Sequence, residues 1–177
     1  MEVELTRIGY VEPDAEYAAG VRVLLNDAFP DGAPNELDQY YSRYGTPTAS
    51  LLLRRGQRVI GHLAIFLRRI RIGNDDVEAA LLGEIAIAAG CRGMGLARGL
   101  VQQAHEYLRE RSVPFSILFA FEPRVYESSG YKPMRNLTRF RDADGEWKAL
   151  VYRGGMYAEL LDQAWPSLPI DLCGPAV

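Results

Sequence analysis

Gly83-Glu84-Ile85-Ala86-Ile87-Ala88-Ala89-Gly90-Cys91-Arg92-Gly93-Met94-Gly95-Leu96-Ala97 is the stretch that decides how this chain is read. Its opening residues are apolar on both faces apart from Glu84, the pattern of a strand buried in the middle of a sheet. A glycine-punctuated loop follows. Directly behind it Leu96, Leu100, Val101, Ala104 and Leu108 recur at three- and four-residue steps, which predicts an amphipathic helix. A strand that runs through glycines into a helix start is an anion site. The first helical turn has N–H groups with no internal partner, and the helix dipole adds roughly half a positive charge there. Gly93 and Gly95 let a phosphate approach the backbone, Ala97 is small, and Arg92 adds a fixed cation at the mouth.

Two kinds of loop that hold phosphates do not fit. A dinucleotide fold wants a longer glycine fingerprint after its first strand and an acid about 20 residues on. A Walker loop needs Gly-Lys-Ser/Thr, which the sequence lacks. Here the loop follows the fourth predicted strand.

Upstream, Val3–Ile8 alternates as a first strand, and Pro13-Asp14 opens a helix carrying Val21, Leu24, Leu25, Ala28 and Phe29. Asn35 caps a second helix through about Tyr44. Ser50–Arg54 and Arg58–Ile72 are strands joined by Arg55-Gly56-Gln57, and Gly73-Asn74-Asp75-Asp76 turns the chain into the strand Val77–Ala88. Downstream, Phe115–Phe121 is a short apolar strand, and Pro123 opens a brief helix ending at Gly130. Strands at about Asn136–Arg141 and Trp147–Tyr152 follow, and a tail with Pro166, Pro169 and Pro175 reads as irregular cover. The order β-α-α-β-β-β-α-β-α-β-β predicts an α+β fold, with a mixed, mostly antiparallel central sheet flanked by helices on both faces. One domain over 1–177 is expected, with a core at about 3–152 and an irregular tail at 153–177.

Composition narrows the partners. The 177 residues are 48% apolar and 24% charged with a net charge of −3, which gives no basic field for nucleic acid and mildly favours a cationic substrate. Cys91 and Cys173 match neither a zinc spacing nor a disulfide framework, so no metal and a reducing cytoplasm are expected. No apolar run approaches the roughly 20 residues of a membrane span, and Met1-Glu2-Val3-Glu4 is unlike a signal peptide. No membrane partner is expected.

Arg92-Gly93-Met94-Gly95-Leu96-Ala97 resembles the acyl-CoA loop of the GNAT superfamily of N-acetyltransferases, Arg/Gln-x-x-Gly-x-Gly/Ala, at every specified position. Val125-Tyr126-Glu127-Ser128-Ser129-Gly130-Tyr131 resembles the family's second signature, an aromatic-rich helix ending in Gly-Phe or Gly-Tyr, at the usual distance beyond the loop. Gly61-His62 on the long strand is similar too, and the resemblance spans roughly residues 3–152. Before the arginine, Ala88-Ala89-Gly90-Cys91 replaces the family's frequent proline and aromatic residue. A looser similarity, through His62–Gly73 and Gly83–Ile87, is to aminoglycoside 2′-N-acetyltransferases and nodulation-factor N-acyltransferases.

The resemblance implies acetyl-CoA as the acyl-donor cosubstrate and an amine, of a small molecule before a protein, as acceptor. It places the pantetheine arm along the backbone of Ile85, Ala86 and Ile87, and the pyrophosphate on the amides of Arg92, Gly93, Met94, Gly95, Leu96 and Ala97. Tyr126 falls at the family's tyrosine position and would protonate the CoA sulfur; its other reading is a packing tyrosine. The N–H of Ile87 or a neighbour would polarise the thioester carbonyl. Glu84, an acid within an apolar strand, is the candidate base, against a structural, ion-paired glutamate. A one-residue slip would turn it to the other face, and strands at such sites often carry a bulge.

Glu122, His62 and a water chain are alternative bases, His62 reading more readily as a hydrogen-bonded core residue. Cys91 is weighed as a nucleophile and set below an inert thiol. Arg68, Arg69 and Arg71 read as a solvated strand face rather than a phosphate grip, and His105 as a surface residue. Tyr40, Tyr41 and Tyr44 belong to the acceptor pocket or to core packing. An exposed aromatic tail around Trp165 would support a homodimer. Two further functions compete: an acyl-CoA-binding sensor without turnover, and transfer of a longer acyl chain.

Overall fold

The computed structural model describes residues 2–9, 15–30 and 45–177. Its elements run β1 (Glu4–Gly9), α1 (Ala15–Ala28), β2 (Ala49–Arg55), β3 (Arg58–Ile72), β4 (Asp75–Ile87), a single 3-10 turn (Ala89–Cys91), α2 (Leu96–Glu110), β5 (Phe115–Phe119), α3 (Arg124–Glu127), β6 (Lys132–Pro133), β7 (Leu137–Arg141), β8 (Trp147–Val151), β9 (Gly155–Glu159) and β10 (Ile170–Pro175). The helix expected after Asn35, with Tyr40, Tyr41 and Tyr44, lies outside the described residues.

Among the described residues one sheet orders its strands β6-β9-β5-β4-β3-β10-β7-β8, with β2 also on β3 and β1 on β2. The length of β3 explains the branch. Its first half pairs with β2, Ala49 opposite Ile65, and its end pairs with β10, Ile170 opposite Ile72. Gly56, at φ 61°, and Gly73, also at φ 61°, make the tight turns on either side of β3, where a side chain would be strained. β4 runs parallel to β5 and β7 parallel to β10, while the other pairings are antiparallel, so the sheet is mixed and mostly antiparallel as expected. The α2 crossover between β4 and β5 is the connection a parallel pair requires.

The expectation of an irregular tail at 153–177 is corrected. Gly155–Glu159 forms β9 beside β5, and Ile170–Pro175 forms β10 between β3 and β7. What fixes β10 is distant in sequence. Asn136 Nδ2 donates to the carbonyls of Pro166 and Leu168 at 2.8 and 2.7 Å, and Arg68 Nη1 donates to the Pro175 carbonyl at 2.6 Å. Trp165 is likewise packed rather than displayed. Its ring stacks on Tyr157 at 4.7 Å and its indole N–H donates to Asn136 Oδ1 at 2.8 Å, which removes the exposed aromatic surface expected to support a dimer.

Two clusters of buried side chains hold the sheet. The first joins Val21, Leu24 and Leu25 of α1 and Leu100, Val101, Ala104 and Leu108 of α2 to Leu63, Ile65, Ala80 and Leu82. Each of the fully buried Val, Leu and Ile side chains among them contributes about 1.5–3 kcal/mol. The second, around Phe66, Ile70, Leu81, Phe115 and Ile117, is closed by Phe140, Leu172 and Trp165 of the C-terminal third. A helical layer on this second face is not among the described residues.

Candidate active site

Strand β4 is paired on both edges only over part of its length. Toward β5 the pairing covers Ala79–Leu81 against Phe115–Ile117 and then stops. On the other edge β4 stays on β3 as far as Ile87, opposite Gly61. Beyond Leu81 the two parallel strands therefore part, and Ile85–Ile87 keep an open backbone edge. Ala88 N–H donates to the Ile60 carbonyl at 2.8 Å, toward β3. Alternation along a strand then directs the Ile87 N–H and C=O, and those of Ile85 two residues back, away from β3 into the opening.

A bulge begins this open segment. The β3–β4 register jumps between His62 opposite Ala86 and Ala64 opposite Gly83, so Leu63 faces the two residues Glu84 and Ile85. Glu84 takes φ 53°, a left-handed conformation that costs a non-glycine residue about 1–2 kcal/mol. The conformation turns its side chain inward: the carboxylate is 3% exposed, with Oε2 3.4 Å from Nδ1 of a fully buried His62. The same Nδ1 lies 3.1 Å from the Glu84 carbonyl oxygen. Burial pushes His62 down to about 4, so its ring is neutral at pH 7.

The loop after β4 spends the Cys91 and Arg92 N–H groups on the Ala88 and Ala89 carbonyls, at 2.8 and 3.3 Å, and leaves the amides at the start of α2 bare. Gly95, at φ 74°, is the N-cap of α2 and brings no side-chain oxygen to the first turn, and no acid stands in that turn. The first helical bond is Gly99 N–H to the Gly95 carbonyl at 3.0 Å, so the amides of Leu96, Ala97 and Arg98 stand outside the helix's ladder. A Cβ added at Gly93 (φ 76°) or Gly95 would meet no atom within 4 Å, so both glycines border open space. Arg92 Nε donates to the Ile87 carbonyl at 3.1 Å and ties the loop back to the open edge. Met94 is exposed beside it.

Tyr126 stands on α3, half-buried, its ring edge-on to Tyr131 at 6.2 Å. Burial alone holds its phenol above the ordinary tyrosine range. Gly130, at φ 87°, closes the segment in the left-handed conformation expected of it. Tyr131 is buried and hydrogen-bonds both Ser116 Oγ and, at 3.2 Å, His105 Nε2. His105, expected on the surface, is therefore a core residue, 4% exposed, and burial with the nearby Arg109 charge lowers it to about 4.

Glu122 is exposed just before α3, and Cys91 is a buried free thiol. Arg69 and Arg71 are exposed as expected, whereas Arg68 turns inward to the carbonyls of β10. A polar cleft of ≈ 460 Å³ lies between α2 and the end of the α3 segment, lined by Gln102, His105, Glu106, Arg109 and Ser128–Gly130. None of the residues singled out for chemistry lines it. His62 is the hydrogen-bonded core residue expected; what sequence reasoning missed is its partner, the Glu84 carbonyl, together with the parting of β4 from β5 and the Arg92 tie. All three join residues through space, and only the Gly61-His62 pair left a trace in the sequence.

Among the described residues no helix is long and apolar enough to cross a membrane, and no group of three acidic, cysteine or histidine side chains is placed to hold a metal. The model of an acetyltransferase (GNAT) domain matches residues 12–134. Among solved structures, a GCN5-related N-acetyltransferase from Anabaena variabilis shares 23% identity and a TM-score of 0.62, over 75% of this chain and 32% of its own. This chain spans about a third of that protein's length. The GNAT family N-acetyltransferase YhbS of Escherichia coli, solved in complex with CoA, shares 20% identity and a TM-score of 0.72, over 97% of this chain and 91% of its own. A GNAT family acetyltransferase from Brucella melitensis, in complex with acetyl-CoA, shares 18% identity and a TM-score of 0.61, over 96% and 94%. No curated protein matches the sequence significantly. The structural likeness carries the fold, and the domain model, matching well over half of the residues, carries the family: this chain belongs to the GNAT acetyltransferases.

Proposed function

We propose that the chain is an acyl-CoA-dependent N-acetyltransferase that moves the acetyl group of acetyl-CoA to a primary amine of a small molecule. The observation that carries this reading is the continuity of the open β4 edge at Ile85–Ile87 with the uncapped amides of Leu96–Arg98. A pantetheine arm adds to an open edge as a strand would. Its diphosphate then meets bare N–H groups, the positive end of α2 and the Arg92 guanidinium.

The chemistry follows from the same groups. The acceptor amine, having lost its proton, attacks the thioester carbon, and negative charge gathers on the carbonyl oxygen. The Ile87 or Ile85 N–H, directed into the opening, is the donor for that oxygen. The carbon–sulfur bond then breaks, Tyr126 O–H gives its proton to the departing thiolate, and the proton that the new amide nitrogen sheds restores the phenol. Its raised pKa keeps that proton in place until it is needed.

Glu84 is the proposed base. Its carboxylate lies inside, against His62, so it takes the ammonium proton through a water rather than by direct contact. His62, pushed down to about 4 by burial, is too weak a base to hold the ammonium proton, and exposed Glu122 is the alternative. A cationic acceptor suits the net charge of −3, and the free thiols of Cys91 and Cys173 suit the reducing cytoplasm.

The test is release of CoA thiol from acetyl-CoA with a panel of polyamines, aminoglycosides and lysine peptides, run beside calorimetry with CoA. Transfer to a small amine supports the reading. Binding without turnover, unchanged by Tyr126→Phe, would make the chain a sensor instead. A donor series of rising chain length separates acetyl transfer from longer-chain transfer, because saturation with palmitoyl-CoA but not acetyl-CoA would reassign the donor.

A further inference from the structure

We infer that His62 is a positioning residue, whose ring N–H holds the Glu84 carbonyl and so fixes the bulge that aims the Ile85 and Ile87 amides into the opening between β4 and β5. The inference rests on the acyl-CoA reading above. Three observations meet at this point. His62 Nδ1 is 3.1 Å from the Glu84 carbonyl oxygen, and the imidazole is fully buried on β3. Glu84 has φ 53° without being glycine, so this backbone turn needs support from its surroundings. The register jump falls between the His62–Ala86 and Ala64–Gly83 pairs, where β4 has just left β5.

The ring's chemistry agrees with its position. Desolvation keeps it neutral at pH 7, with one proton to give. A carbonyl oxygen only accepts, so that proton sits on Nδ1. One residue later the chain directs the Ile85 N–H into the opening, and a shift of about 1 Å in such a donor costs about a hundredfold in rate. His62 acts through the backbone. The same Nδ1 also stands 3.4 Å from Oε2 of Glu84, the proposed base, and the bound carbonyl resonance reads the backbone effect apart from any effect on that carboxylate.

The experiment compares His62→Leu, His62→Asn and His62→Gln in the full chain. An asparagine amide reaches the place of Nδ1, a glutamine amide that of Nε2, and leucine has no donor. The readouts are CoA affinity by calorimetry, the carbon-13 carbonyl resonance of bound carbonyl-labelled acetyl-CoA, and the KM and kcat of thiol release. CoA affinity and KM should change little in all three, because the diphosphate is held elsewhere. In His62→Leu and His62→Gln the bound carbonyl resonance should move toward that of free acetyl-CoA and kcat should fall at least about tenfold, with both restored in His62→Asn.

A folded His62→Leu with the wild-type resonance and kcat overturns the assignment. Should leucine prevent folding, equal behaviour of the asparagine and glutamine variants overturns it as well. A wild-type chain that binds no CoA overturns the acyl-CoA reading and this inference together. Normal wild-type binding with indifferent variants overturns the role of His62 alone.

Discussion

Arg92 Nε donates to the carbonyl oxygen of Ile87 at 3.1 Å, so the cation at the mouth of the loop is fastened to the last residue of the strand it follows. One side chain thus sets the angle at which loop and strand meet and, under the proposed function, the charge beside a diphosphate. The two roles separate by substitution. Arg92→Lys keeps the charge and loses the planar, directional donor, whereas Arg92→Ala loses both. A charge-assisted bond is worth about 1.5–3 kcal/mol, so Arg92→Ala should weaken CoA binding at least about tenfold. Calorimetry should place Arg92→Lys nearer to alanine than to wild type. Full recovery with lysine would show that only the charge matters.

Gly95 shapes the turn into α2 and, under the proposed function, leaves room for a phosphate, and substitution tells the two apart. Its φ of 74° suits asparagine better than other side chains, and an added Cβ would meet open space rather than protein. Gly95→Val should therefore cost stability through backbone strain, about 1–2 kcal/mol, while Gly95→Asn should cost less. Both should lose CoA affinity by at least about tenfold, because each fills the space through which a phosphate approaches the amides. Denaturant melts and calorimetry on the two variants decide it. Normal affinity in Gly95→Asn would mean that the glycine serves the turn and not the ligand.

Tyr126→Phe removes a hydroxyl and leaves the ring against Tyr131. General acids contribute about 10²- to 10⁴-fold, so kcat should fall about a hundredfold or more with CoA affinity unchanged. The pH dependence carries a sign. A proton donor works while protonated, and burial raises this phenol above the ordinary value of about 10. The wild-type rate should therefore hold up to at least about pH 10 before any loss that Tyr126 causes. A limb near pH 8 that vanishes in Tyr126→Phe would contradict the burial of that hydroxyl.

What the sequence told and what it hid divide by range. The α2 periodicity at Leu96, Leu100, Val101, Ala104 and Leu108 and the turn glycines at 56, 73 and 130 are local signals, and the structure places each as read. Glutamate is no habitual left-handed residue, so nothing in Gly83-Glu84-Ile85 located the bulge, although a bulge was foreseen in kind. β9 and β10 were missed because their partners, Phe115–Phe119 and Ile72, lie far back in the chain. His105 was misread for a related reason. It sits between apolar neighbours on the inner side of α2, and its polar character concealed a partner, Tyr131, 26 residues away.

The two histidines give the chain a common acid sensitivity. His62 and His105 both titrate at about 4 in the folded chain, against about 6.5 when unfolded. Between those values the unfolded chain binds more protons, so stability rises with pH across the window and this contribution is complete above about pH 6.5. Acidifying from 6.5 to 4 should remove on the order of 3 kcal/mol per histidine. Urea melts at pH 7, 5.5 and 4.5 read the slope. His62→Asn keeps a donor at the Nδ1 position, and His105→Gln keeps a group at the Nε2 position facing Tyr131, but neither replacement titrates. Each variant should remove about half of the histidine part of the slope, and the double variant should leave only what the carboxylates contribute. A wild-type slope no steeper than that of the double variant would mean that both rings are hydrated in the folded chain. The contact of His62 with the Glu84 carbonyl would then have to be closed by water.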